Sequence, residues 1–124
     1  MDISKWLYGG LIACTFAIQA SDAAAATPSA KVVEVVTFNL KSGVTAAQFR
    51  LVDQEVEAQH VSRQPGFVSR ESAAGENGEW LVIVYWRSVA DATASMASFE
   101  KAPAAAKFMS SIDASTMLMK RYDK

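Results

Sequence analysis

A chain of 124 residues is long enough for one domain. Its 12 Lys and Arg against 13 Asp and Glu give a net charge of -1, with no basic field to collect phosphates, which argues against nucleic acid as a partner. One histidine and one cysteine argue against a metal centre or a disulfide framework.

Residues 1–26 read as a secretory signal peptide. Lys5 precedes an apolar run from Trp6 to Ile18, and small residues at A-x-A spacing follow, ending Ala24-Ala25-Ala26. Cleavage is expected after Ala26, with a cut after Ala20 as the alternative. The apolar run falls short of the roughly 20 residues a membrane span needs. Cleavage after Ala26 removes Lys5, Asp2 and Asp22 and leaves a formally neutral product. That product is expected in the periplasm or outside the cell. Leu11-Ile12-Ala13-Cys14 also looks like a lipobox, so membrane attachment is expected only if Cys14 is lipidated. Either way the folded part has no thiol chemistry. Residues 27–30 read as a linker and residues 31–124 as the domain.

Lys31 to Leu40 (KVVEVVTFNL) is β-branched and aromatic and predicts a strand. Val33, Val35 and Thr37 face one way, while Val32, Val36 and Phe38 face the other, so both faces are covered. Glu34 is the odd residue: at a solvated edge, paired with an Arg such as Arg70, or an acid held in a pocket. Lys41 to Val44 form a turn. Thr45 to Gln48 are a capping box that starts a helix running to about Gln64. Phe49, Val52, Val56 and His60 share one face of it, with Arg50, Asp53, Glu55 and Glu57 mostly off that stripe. Pro65-Gly66 ends the helix, and a second strand runs from Phe67 to about Ala73. Asn77-Gly78 marks a hairpin into a third strand, Glu79 to Arg87, apolar on both faces. Ser88 to Asp91 form a second capping box, opening a helix with Met96 and Phe99. Pro103 starts a short extra helix with Phe108 and Met109. Asp113 lies in a turn, and Thr116 to Tyr122 are the last strand.

The order β-α-β-β-α-β predicts an α+β, ferredoxin-like unit with an antiparallel sheet and helices on one face. The other face, expected to carry Val, Trp and Phe, is too apolar to stay bare. A homodimer packed sheet against sheet is the simplest remedy. Trp80 and Trp86 share a strand parity, lining an aromatic pocket or filling the dimer core. His60, with an ordinary pKa of about 6.5, is a candidate general base or a half-buried packing residue. Tyr85 is a candidate proton donor or an ordinary sheet aromatic. Met96, Phe99, Phe108 and Met109 read first as core. No Gly-rich phosphate loop exists, since Gly75 and Gly78 belong to the hairpin.

Four local features follow in order. The first strand runs into Leu40-Lys41-Ser42-Gly43. Pro65-Gly66-Phe67-Val68-Ser69-Arg70 leads into strand two. Val84-Tyr85-Trp86-Arg87-Ser88 closes strand three ahead of a helix that begins with Asp91. Phe99 and Pro103 to Phe108 make a late helix. In these features, over residues 31 to about 122, the chain resembles the antibiotic-biosynthesis-monooxygenase-like (ABM-like) family of dimeric α+β barrels. The resemblance implies a homodimer with a pocket in each subunit between sheet and helices. Some members oxygenate polycyclic aromatics without metal or flavin, the deprotonated substrate itself reacting with oxygen. Others degrade haem, isomerise, or have no known chemistry. Trp86 matches the Trp that ends strand three in the oxygenases and haem-degrading members. Asn39 is the nearest candidate for their strand-one Asn. Ala104 to Ala106 stand where they place a His.

The expected catalytic residues are therefore Trp86, His60 and Asn39, around a ligand held by Glu34, Phe38, Trp80, Tyr85, Trp86, Met96 and Phe99. No cofactor and no metal are expected. The expected function is binding of a small aromatic or apolar compound, with cofactor-independent monooxygenation as its catalytic form. A non-catalytic or stress-associated homodimer using the same cavity is the alternative. Haem binding, with His60 as axial ligand, is a third.

Overall fold

The computed structural model describes residues 29–124. The expected signal peptide, its cleavage sites and Cys14 lie outside the described residues. The chain forms β1 (Val32–Leu40), α1 (Ala46–Gln59), β2 (Phe67–Ala74), β3 (Glu79–Trp86), α2 (Val89–Phe99), α3 (Pro103–Ser110) and β4 (Ile112–Asp123). The four strands make one sheet in the order β2-β3-β1-β4, antiparallel at every pairing. That is the strand order of the ferredoxin-like unit. Among the described residues no helix is long and apolar enough to cross a membrane.

Short-range chemistry sets most element ends. Gln48 N–H donates to the Thr45 hydroxyl, and Thr45 N–H donates back to Gln48 Oε1, so the first capping box closes. The helix stops at Gln59, five residues short of the expected end. Val61–Arg63 tighten into a single 3-10 turn, and Gln64 is extended at ψ 142, as a residue before proline must be. At α2 the Ser88 hydroxyl accepts from Asp91 N–H (3.1 Å) and donates to the Asp91 carboxylate (2.8 Å). The return contact thus goes to the Ser88 side chain rather than to its backbone. Asn77 and Gly78 both take positive φ (53 and 79), closing the hairpin as expected.

The last strand differs from expectation. It begins at Ile112, and Asp113 lies within it. The register against β1 shifts between Thr37 and Asn39. At that bulge the Thr116 hydroxyl accepts from Asn39 N–H (2.8 Å) and donates to Asp113 O (2.6 Å). Side-chain bonds there replace ladder bonds, which is why the sequence reads as a turn.

The helices cover the face carrying Val32, Phe38, Trp80, Val82, Val84 and Trp86, all buried. Phe49 from α1 meets Trp80 edge-on at 5.0 Å and Phe38 at 5.7 Å. Both tryptophans thus point to the helices and neither to the open face, which corrects the expectation of a tryptophan-filled dimer core. The opposite face carries the register pairs Val33–Tyr85, Val35–Ile83 and Thr37–Leu81. Leu118 and Tyr122 of β4 extend it and are 64% and 52% exposed. Its apolar character comes from Val, Leu, Ile and Tyr, without Trp or Phe.

Gly66 and Gly43 both have φ above 80 or close to it (80 and 88), but a Cβ on Gly66 would run into the Asp91 carboxyl, whereas Gly43 meets open space. Gly43→Ala is expected to cost about 1–2 kcal/mol from backbone strain alone. Gly66→Ala should cost clearly more, read as a lower urea midpoint. Equal shifts would mean that Asp91 moves aside freely.

Candidate functional site

A cavity of about 410 Å³ lies between the sheet and the helices. Its sheet side is Val36, Phe38, Val82, Val84, Trp86 and Met117, and Met96, Phe99, Phe108 and Met109 face these from the helices. The size is that of a small-molecule site. Its few polar lining residues are Glu34, Arg70, Ser95 and Glu100.

Two of these sit in a row across the sheet. Arg70 on β2 faces Val84 on β3, which faces Glu34 on β1, which faces Arg121 on β4. Arg121 Nε donates to Glu34 Oε2 at 2.7 Å, and its Nη1 donates to the Thr93 hydroxyl at 3.2 Å. The expected partner for Glu34, Arg70, is instead held by Asp53 through two bonds of 2.6 and 3.1 Å. The Ser72 hydroxyl donates to the same carboxylate at 2.5 Å, and Glu57 lies 3.6 Å from Arg70. Asp53 and the Arg70 side chain are each 2% exposed. Sequence reasoning placed Asp53 off the buried stripe. Its spacing of four from Phe49 and three from Val56 was the available clue.

Trp86 is 1% exposed and lines the cavity, and its indole N–H has no partner among the described residues. Of the other expected ligand residues, Glu34, Phe38, Met96 and Phe99 line the cavity too. Trp80 does not: it lies beneath Phe49, with the Arg50 guanidinium 5.1 Å from its ring. Tyr85 is on the open face, with the Lys124 ammonium 5.6 Å from its ring. Asn39 is exposed at the far end of β1, outside the cavity wall, because its neighbours belong to the β4 bulge.

His60 is buried but is not among the lining residues. Its Nε2 lies 2.8 Å from the Ser98 hydroxyl. That hydroxyl directs its one proton to Gln64 Oε1 or Ser95 O, so Nε2 carries the ring proton and donates. Nδ1 is buried without a partner among the described residues. Burial pushes the His60 pKa below its ordinary value. The ring packs edge-on against Phe99, 5.7 Å away. As a general base or haem ligand His60 would have to reach the cavity, and it is spent on packing at its margin. Among the described residues no group of three or more His, Cys, Asp or Glu is placed to hold a metal ion.

A ferredoxin-like unit with a cavity between its sheet and its helices is the class that this geometry defines. No family model and no curated protein matches the sequence. Among solved structures the chain is similar to SnoaB, a cofactor-independent oxygenase from Streptomyces nogalater, at 19% identity and TM-score 0.63, covering 77% of this chain and 94% of that one. A candidate antibiotic biosynthesis monooxygenase from Caulobacter crescentus aligns at 16% identity and TM-score 0.61, over 79% and 92% of the two chains. Another from Bordetella bronchiseptica aligns at 13% and 0.62, over 77% and 98%. The chain has the ABM-like fold, and at these identities the likeness is one of fold.

Asp53→Ala is expected to cost about 3–5 kcal/mol in equilibrium urea unfolding, because it strands the buried Arg70 guanidinium. A loss under about 1 kcal/mol would show that Arg70 finds other partners. For His60 the folded state disfavours the protonated ring. Its contribution to stability is therefore complete above the unfolded pKa of about 6.5 and declines as pH falls below it. Stability measured from pH 8 to pH 5 should fall more steeply in the wild type than in His60→Gln. Parallel profiles would remove His60 as the titrating group.

Proposed function

We propose that the domain works as an exported homodimer that binds one small aromatic compound in each subunit. The observation that carries this is the cavity of about 410 Å³, apolar on most of its wall with a few polar side chains among them. Trp86, Phe38, Phe99 and Phe108 offer ring edges and faces to an aromatic guest. Met96, Met109 and Met117 supply flexible thioethers that adapt to its outline. The pairing is supported by the apolar open face, where Leu118 and Tyr122 are more than half exposed. Export rests on the pattern of residues 1–26.

Cofactor-independent oxygenation is the second reading. Trp86 at the cavity wall and the fold shared with SnoaB favour it. In that reaction the chain would contribute a dry cavity and the positioning of the reacting ring.

Native mass spectrometry of the exported protein is expected to give a dimer that retains one small adduct per subunit. A monomer would overturn the pairing. A dimer that takes up no aromatic probe at millimolar concentration would overturn the binding reading. An oxygen electrode run over a panel of polycyclic aromatics separates the two functional readings. Uptake that Trp86→Phe abolishes while binding persists supports oxygenation, and no uptake from any bound compound leaves binding alone.

A further inference from the structure

His60 sits where the end of α1 meets α2 and is tied to the cavity wall without lining it. Its Nε2–H donates to the Ser98 hydroxyl of α2 at 2.8 Å. That hydroxyl lies 3.0 Å from Gln64 Oε1 and 2.9 Å from Ser95 O, and Gln64 Nε2 donates back to His60 O at 3.1 Å. The ring also packs edge-on against Phe99. Ser95, Met96 and Phe99, from the same stretch of α2 as Ser98, line the cavity. The neutral imidazole therefore holds the cavity-lining end of α2 against α1 and the 3-10 turn.

A second ring proton would go to Nδ1, which is buried without a partner among the described residues. It would place a full charge in an apolar setting with no counter-ion, an arrangement that proteins avoid by moving or neutralising the group. The charged groups on the surrounding elements are committed elsewhere. On α1, Asp53 and Glu57 face Arg70 of β2, and Glu55 faces Lys107 of α3. On α2, the Asp91 carboxylate accepts from the Ser88 hydroxyl, while Glu100 and Lys101, just past the helix, are exposed. Arg63 of the 3-10 turn carries a like charge and is exposed, its Nε donating to Ala58 O. Among the described residues no ion pair reaches His60. Burial accordingly pushes the ring's pKa down.

Resting on the binding reading above, we propose that His60 is an acid-operated latch on the cavity. Protonation turns the ring out toward water, breaks its bond to Ser98 and its contact with Phe99, and frees the end of α2 that walls the cavity. The closed, guest-holding form excludes the second proton. Guest affinity is therefore full while the ring is neutral and declines as pH falls through the ring's midpoint in the empty protein. By linkage, a bound guest makes the ring harder to protonate by the same factor. For a chain exported as proposed, the trigger is the pH of its surroundings.

The test is equilibrium dialysis of the full chain at pH 8 and pH 5 against naphthalene, which has no titrating group. The wild type is expected to bind about fivefold or more weakly at pH 5. His60→Gln keeps a donor for Ser98 and cannot be charged, so it should match the wild type at pH 8 and change by less than about twofold at pH 5. Equal losses in the two proteins overturn the latch and leave the binding reading standing. If naphthalene does not bind at pH 8, the binding reading falls and takes the latch with it. Because the chain has one histidine, its imidazole resonance can be followed by NMR in the wild type alone. Saturating naphthalene is expected to move its titration midpoint to lower pH. A midpoint that stays in place while naphthalene binds overturns the latch, even if His60→Gln fails to fold.

Discussion

The ion pair between Asp53 and Arg70 ties the long helix α1 to the edge strand β2. Both partners are almost fully buried, the guanidinium grips the carboxylate through two bonds, and Ser72 supplies a third. Asp53 stands in the middle of the stripe that α1 turns inward, between Phe49 and Val56. A charge there is tolerated only if a partner is held opposite it, because an unpaired buried carboxylate would be strongly destabilising. The pair therefore fixes how α1 lies across the sheet. It also fixes Arg70 as part of the cavity wall, with both terminal nitrogens already occupied by Asp53.

From that docking the rest of the architecture follows by parity. A strand sends alternate side chains to opposite faces. Once α1, α2 and α3 cover one face, Val32, Phe38, Trp80, Val82, Val84 and Trp86 become core, and Val33, Val35, Leu81, Ile83 and Tyr85 are left on the other. The helices do not fill the covered face completely. Phe49 packs edge-on against both Phe38 and Trp80, and the cavity, bordered by Trp86, α2 and α3, takes space the helices leave open. The two tryptophans thus play different parts despite equal parity: one is packed beneath an aromatic neighbour, while the other borders open space.

The cavity is chemically uneven. Aromatic, aliphatic and thioether side chains make up most of its surface, while two of its charged groups, Arg70 and Glu34, belong to the row that crosses the sheet through Arg70, Val84, Glu34 and Arg121, and a third, Glu100, follows α2. Each charge in the row has a counter-charge: Arg70 is paired with Asp53, and Glu34 with Arg121. What it offers a guest is apolar contact with a small number of directed hydrogen bonds, an arrangement that favours orientation over raw attraction. His60, the most conspicuous residue for acid–base chemistry in the sequence, stands outside this arrangement and serves the joint between α1 and α2 through Ser98.

Features that depend on neighbours a few positions apart were legible in the sequence. Alternating β-branched residues marked the strands, Thr45 and Gln48 marked the start of α1, Asn77-Gly78 marked the hairpin, and Pro103 marked α3. Each is decided by local sterics and local hydrogen bonds, so its cause lies within a few residues of its effect. Trp86, Phe38 and Glu34 also stand out in the sequence as residues around a pocket, because aromatic or charged side chains are conspicuous at inward positions of a strand. Periodicity separates two faces of a strand without saying which one the helices will cover, so the assignment of Trp80 and Trp86 to the helix side had to come from the fold. The partner of Glu34 is 87 residues away and that of Asp53 is 17 residues away. Nothing in a local pattern distinguishes Arg70 from Arg121 as the residue that meets Glu34. The sequence by itself determined the elements and their order. Only the tertiary structure decided the ion pairs, the covered face and the contents of the cavity wall, because those depend on sheet register and helix docking between segments far apart in the chain.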